Sequence, residues 1–174
     1  MSRKKPSQSE AIILRRYRPV EVQPQPCSDK ELALHLEGFV RSFIRKKDQA
    51  RWLTILVERH AKQTLTRPEK AYPKASDDFE MFFPLQLEDL RTIESEAAYP
   101  QALAILYGET RGVYFDLQHP ACKVTAAEAA TLVRGRDGTR SGAAILSFVP
   151  GKKALYFDYE MDEGSQCIWI CEKA

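Results

Sequence analysis

The 174-residue sequence contains no long apolar run. Nothing approaches the ~18 successive apolar residues of a membrane-spanning helix. The stretch Ala11-Ile12-Ile13-Leu14 is too short for the apolar region of a signal peptide. A glycine-rich phosphate loop is also missing. Gly135-Arg136-Asp137-Gly138 follows a helical segment and precedes a strand, the reverse of the order that cradles phosphates, and reads as a turn. Histidine is limited to His35, His60 and His119, and cysteine to Cys27, Cys122, Cys167 and Cys171 at irregular spacing. No CxxC pair occurs. Cys167 and Cys171 would share one strand face about 13 Å apart, too far to bond to each other. The expectation is a soluble cytoplasmic protein with free thiols, and nothing in the sequence demands a metal or a cofactor.

What is present suits one globular domain. A chain of this length buries roughly 70% of its unfolded surface without help from metal or disulfide. Apolar residues make up 44% and charged residues 29%, both ordinary values. The net charge of +2 conceals an asymmetry: residues 1–20 carry six cations and one acid, leaving −3 on the remainder. Residues 1–27 read as a basic, partly disordered arm ending in the Pro-rich linker around Gln23-Pro24-Gln25-Pro26, and residues 28–174 as a single α+β domain.

Ser28-Asp29-Lys30-Glu31 is a capping-box pattern, and Leu32, Leu36, Phe39, Val40 and Phe43 follow at helical spacing. Asp48 is placed to cap a second helix over Gln49–Gln63, with Trp52, Leu53, Leu56, Val57 and His60 as its stripe, so that a helical hairpin opens the domain. A loop over 64–78, a strand over Phe79–Phe83 and a helix over Leu85–Ala97 come next. Pro100 at a first-turn position opens a short helix to Tyr107. The period then falls to two over Gly112–Gln118, and Thr125 caps an Ala-rich helix to Arg134.

The final segments, Ala143–Val149, Lys153–Met161 and Cys167–Glu172, form a three-stranded meander closing a mostly antiparallel sheet. Pairing Val149 with Lys152 and Glu160 with Cys167 collects Leu146, Phe148, Leu155, Phe157, Tyr159, Ile168 and Ile170 on one face, and a one-residue slip would mix the sets. The reverse face gathers Ile145, Ser147, Tyr156, Asp158, Glu160, Cys167, Trp169 and Cys171.

Three functions are compatible with these residues. In the first, Tyr156, Asp158, Glu160 and Trp169, with Tyr114 and Asp116 of the other Tyr-Phe-Asp triplet, form an acidic-aromatic face that binds a basic protein partner without chemistry. An immunity or antitoxin protein inhibiting a toxin or enzyme works this way. In the second, Arg15, Arg16 and Arg18 of the arm join Arg41, Arg45, Lys46 and Lys47 of the helical hairpin to contact nucleic-acid phosphates. In the third, Asp116 and Asp158 converge with Glu160 and His119 as a metal-dependent hydrolase or nuclease. The first is preferred, because no catalytic motif stands out.

Overall fold

Ser28 starts the first helix as the capping pattern requires: its hydroxyl accepts the Glu31 amide at 3.1 Å. Only half of the expected box forms, because the Glu31 carboxylate turns instead to Lys123 Nζ, 2.9 Å away. In the computed structural model, residues 17–61, 78–79, 83–93, 99–136, 138, 142–158 and 167–173 are described. Helix α1 spans Asp29–Phe43 and ends at Ile44, whose backbone turns extended and bridges to Leu85. A 3₁₀ turn, Lys46–Asp48, leads into α2, which begins at Gln49–Trp52 and continues through Leu53–Ala61 in wide π turns. Asp48 makes no side-chain cap there; its carboxylate lies 3.3 Å from Arg45. Helices α1 and α2 pack together, as the short connection implies.

Residues 85–93 differ from expectation, and the rest of the expected helix to Ala97 lies outside the described residues. The acid–apolar spacing suggested a helix, but Leu87–Asp89 makes one 3₁₀ turn and Arg91–Ile93 forms strand β1. Cross-strand pairing of Thr92 with Trp169 and Ile93 with Ile168 wins over helical spacing, and both are β-branched residues suited to a strand. Phe79, expected in a strand, lies with Asp78 in a helical turn. Helix α3, Pro100–Tyr107, has proline in its first turn and ends at Gly108, whose φ of 57° favours glycine. Strand β2 is Arg111–Phe115. A four-residue strand not anticipated from sequence, β3 (Cys122–Thr125), precedes α4 (Ala126–Arg134), where Thr125 and Glu128 form a full capping box.

Strands β4 (Ala144–Val149), β5 (Lys153–Asp158) and β6 (Cys167–Glu172) are the meander. With β1–β3 they form one antiparallel sheet in the order β1-β6-β5-β4-β2-β3. The expected β4–β5 register holds from Ala144↔Phe157 to Ser147↔Ala154, then breaks at a bulge: Val149 pairs with Lys153 rather than Lys152. The β5–β6 pairing is offset by two residues, with Asp158 opposite Cys167. An even offset leaves the two faces as expected.

Helices cover both faces. Ala144, Leu146, Leu155, Phe157, Ile168 and Tyr114 meet α3 and α4 through Leu103, Ala126, Ala129, Ala130 and Val133. The reverse face, with Ile145, Tyr156, Val113, Phe115 and Cys171, meets α1 and α2 through Leu36, Phe39, Phe43, Trp52 and Leu56. Each fully buried leucine, isoleucine, valine or phenylalanine here contributes roughly 1.5–3 kcal/mol.

The described residues before α1 pack on the body. Tyr17 is buried and its hydroxyl donates to Gly135 O at 2.6 Å; the amides of Val20 and Gln23 donate to Thr131 Oγ1 and Glu128 Oε2. Gln25 bridges Lys123, covering the outer edge of β3.

Candidate functional site

The acidic-aromatic face does not lie open. Tyr156 is buried, with its ring among Phe79, Phe83 and Phe115 and its hydroxyl donating to Phe79 O at 2.5 Å. Tyr114 is buried on the opposite face. Neither ring is available to a partner, which corrects their placement in a contact surface. The physical reason is visible in the strands: both faces of β4 and β5 carry apolar residues, the pattern of a sheet covered on both sides. Asp158 and Trp169 remain half-buried at the end of β5 and β6, where Trp169 Nε1 donates to Asp158 Oδ2 at 3.2 Å. Glu160 lies outside the described residues.

Asp116 and Asp158 do not meet. Asp116 shares the face of Tyr114, whose hydroxyl donates to Asp116 Oδ2 at 2.6 Å, whereas Asp158 shares the face of Tyr156, and β4 separates their strands. The two-carboxylate arrangement of a metal hydrolase is therefore not formed. Instead Asp116 organises a turn. Its Oδ1 accepts the amides of Gln118 at 2.8 Å and His119 at 2.6 Å, and its Oδ2 lies 2.6 Å from His119 Nδ1. Burial, followed by the Asp116 charge, pushes the nearby Cys122 thiol up to about 11. A protonated thiol beside this Asp–His pair is the opposite of an activated nucleophile. Among the described residues no group of three or more His, Cys, Asp or Glu is arranged to hold a metal ion.

A second polar contact was not legible in the sequence. His35 is outside the apolar stripe read for α1, yet it is buried, with Nδ1 2.8 Å from Ser147 Oγ across the α1–β4 interface. Desolvation lowers its pKa. Ser147 itself is only 1% exposed, so this pair fastens a helix to the sheet and offers no reachable nucleophile.

The basic residues divide. Arg18 sits beside α3, where its carbonyl accepts Gln101 Nε2 at 2.7 Å. Arg41, Arg45, Lys46 and Lys47 cluster at the α1–α2 connection, on the other side of the sheet. Arg15 and Arg16 lie outside the described residues. Arg41 pairs with Glu37 at 3.0 Å and Arg45 with Asp48. Arg41 and Lys46 also line a cleft of about 600 Å³ that reaches Lys173 beyond β6.

The surface that stands out is apolar. Ile105 and Leu106 of α3 are 86% and 60% exposed. Next in the chain, Tyr107 stacks on Phe148, with centroids 5.4 Å apart and planes inclined by 11°, and Lys153 Nζ sits over both rings at 5.8 and 5.7 Å. The bulge builds this surface. Phe148 is the unpaired extra residue, so Val149, which strict alternation would send to the reverse face, is paired with Lys153 beside it and is 44% exposed. The sequence signal is the run Ala102-Leu103-Ala104-Ile105-Leu106-Tyr107: an eight-residue helix with more apolar residues than one buried face can absorb. No protein-family model matches the chain, and neither a curated protein nor a solved structure shows significant similarity to it.

Proposed function

We propose that the protein is a non-enzymatic binding protein whose partner is another protein, held on the α3–β4 surface. The observation that supports it most is that Ile105 and Leu106, both solvent-exposed, directly precede Tyr107, whose ring stacks on Phe148 beside the exposed Val149. Other exposed apolar side chains, Leu34 and Leu87, sit on separate elements, and scattered single residues of that kind are ordinary. A run of large aliphatic and aromatic side chains is the usual centre of a protein–protein contact. The rings are already packed and the bulge is fixed by strand pairing, so little conformational freedom is lost on docking.

The rim is mixed in charge: Lys153 pairs across from Glu172, Arg91 lies 3.5 Å from Glu172, and Lys152 and Glu109 are exposed. The complementary partner presents an apolar ridge flanked by groups of both signs rather than the basic surface that an acidic-aromatic face would have selected. A stoichiometric inhibitor of the immunity or antitoxin kind acts in this way, since occluding a target requires surface and no chemistry. Four free thiols suit a reducing cytoplasmic setting.

A photo-crosslinking residue placed at position 105 in cells tests the reading. One defined protein adduct at position 105, absent from the same probe at Lys30 on α1 and lost on Leu106→Asp, is expected. The same adducts at both positions would contradict it.

A further inference from the structure

The cleft at the C-terminal end of α1 combines features that the α3–β4 surface lacks. Its cations come from three separate places in the chain: Arg41 in the last turn of α1, Lys46 in the 3₁₀ turn, and Lys173 just beyond β6. Among the described residues Lys46 and Lys173 have no ion-pair partner. The one carboxylate in the lining, Glu172, lies 3.5 Å from Arg91. The site is therefore cationic in balance.

A helix C-terminus normally opposes an anion, because its last carbonyls point outward. At this one the carbonyls of Val40, Arg41, Phe43 and Ile44 are occupied. Gln49 Nε2 donates to Arg41 O and Ile44 O at 3.2 and 3.0 Å, the Gln86 amide to Phe43 O at 2.8 Å, and the Ile44 amide to Val40 O at 3.3 Å. The cationic side chains then set the local potential. Phe43, Ile44 and Leu90 give the cleft an apolar floor, and its volume of about 600 Å³ falls within the range of small-molecule sites.

We infer that this cleft binds a small phosphorylated organic molecule, its phosphate held by Lys46, Lys173 and Arg41 and its organic body resting on Phe43, Ile44 and Leu90. Two lysine ammonium groups, with an arginine guanidinium shared with Glu37, supply more positive charge than one carboxylate would neutralise, which favours a phosphate dianion. The apolar floor favours an organic body over a free inorganic ion.

The test follows backbone amide resonances of the full chain during titration with AMP, glucose 6-phosphate, citrate, inorganic phosphate and a single-stranded oligonucleotide. At least one of the two organophosphates should saturably shift the amides of Ser42, Ile44, Gln86 and Lys173, more tightly than citrate or inorganic phosphate. Affinity should fall at least about tenfold in the Lys46→Gln/Lys173→Gln double variant and weaken with added salt. Both substitutions are on exposed side chains, and unchanged resonances elsewhere verify the fold. Absence of saturable shifts with both organophosphates, equal binding of inorganic phosphate or citrate, tighter binding of the oligonucleotide, or an unaffected double variant would each overturn the inference.

Discussion

Tyr107 and Phe148 lie nearly parallel, 5.4 Å apart, joining a helix end to an unpaired bulge residue. Such a pair adds about 0.5–1.5 kcal/mol beyond the area it buries. Phe148→Ala should therefore lower stability by about 1–3 kcal/mol, less than for a fully enclosed phenylalanine. Ile105→Asp and Leu106→Asp should stay within about 0.5 kcal/mol of the parent, since both side chains already face water. Denaturant midpoints at constant slope check the contrast. Equal losses in all three variants would mean that the aliphatic pair is structural.

Gly38 is in the middle of α1, where glycine costs about 1 kcal/mol relative to alanine. The turn between β4 and β5 explains it. A Cβ on Gly38 would lie 2.6 Å from Gly151 N and 2.9 Å from Pro150 C, both backbone atoms. Gly38→Ala should destabilise by about 1–3 kcal/mol despite the better helix propensity, through forced separation of the turn from the helix. Thermal unfolding reads this directly, and a gain in stability would show that the two backbones are not in close contact.

Arg134 is 2% exposed, with Nε and Nη1 lacking hydrogen-bond partners and its guanidinium 6.0 Å from the Tyr17 ring and 5.8 Å from the Tyr99 ring. Burial lowers its pKa. The two rings offset part of the desolvation cost, but unmade hydrogen bonds remain expensive. Arg134→Met keeps the length and removes the polar atoms, so it should be neutral or stabilising by about 1 kcal/mol. A loss above about 2 kcal/mol, measured by chemical denaturation, would show that the cation–ring contacts outweigh that cost.

His35 ties stability to pH. Burial holds its folded-state pKa below the ordinary 6.5, with Glu31 opposing the shift and Lys123 adding to it. The unfolded chain then binds the proton more readily, so stability rises with pH. The His35 contribution is fully present above about 6.5 and declines as pH falls from there toward the lower folded value. Between pH 7 and 5 the parent should lose more stability than His35→Gln, which cannot titrate. Parallel curves for the two proteins would contradict the assignment.

The α1 cap, the stripe that packs on the sheet, and the partition of meander residues between faces were legible because each follows from local chemistry or period-two alternation. Strand β1 was not, because its three residues are held by pairing with β6 while their spacing resembles a helix. The burial of Tyr156 was half legible: apolar residues on both faces of β4 and β5 signalled a covered sheet, but the aromatic cover comes from Trp52, Phe79 and Phe83, distant in the chain. The α3–β4 surface depends on a bulge that simple alternation does not reveal. The cationic cleft depends on the C-terminal Lys173 returning beside the end of α1.

The most direct test of the proposed function is the dissociation constant of the protein captured at position 105, measured against the parent, Ile105→Asp/Leu106→Asp and Asp158→Lys. Central contacts of this kind typically carry 2 kcal/mol or more each, so the double variant should bind at least about 100-fold more weakly, with Asp158→Lys close to the parent. Unchanged affinity in the double variant, or a loss confined to Asp158→Lys, would contradict the assignment of the partner to α3 and the β4 bulge.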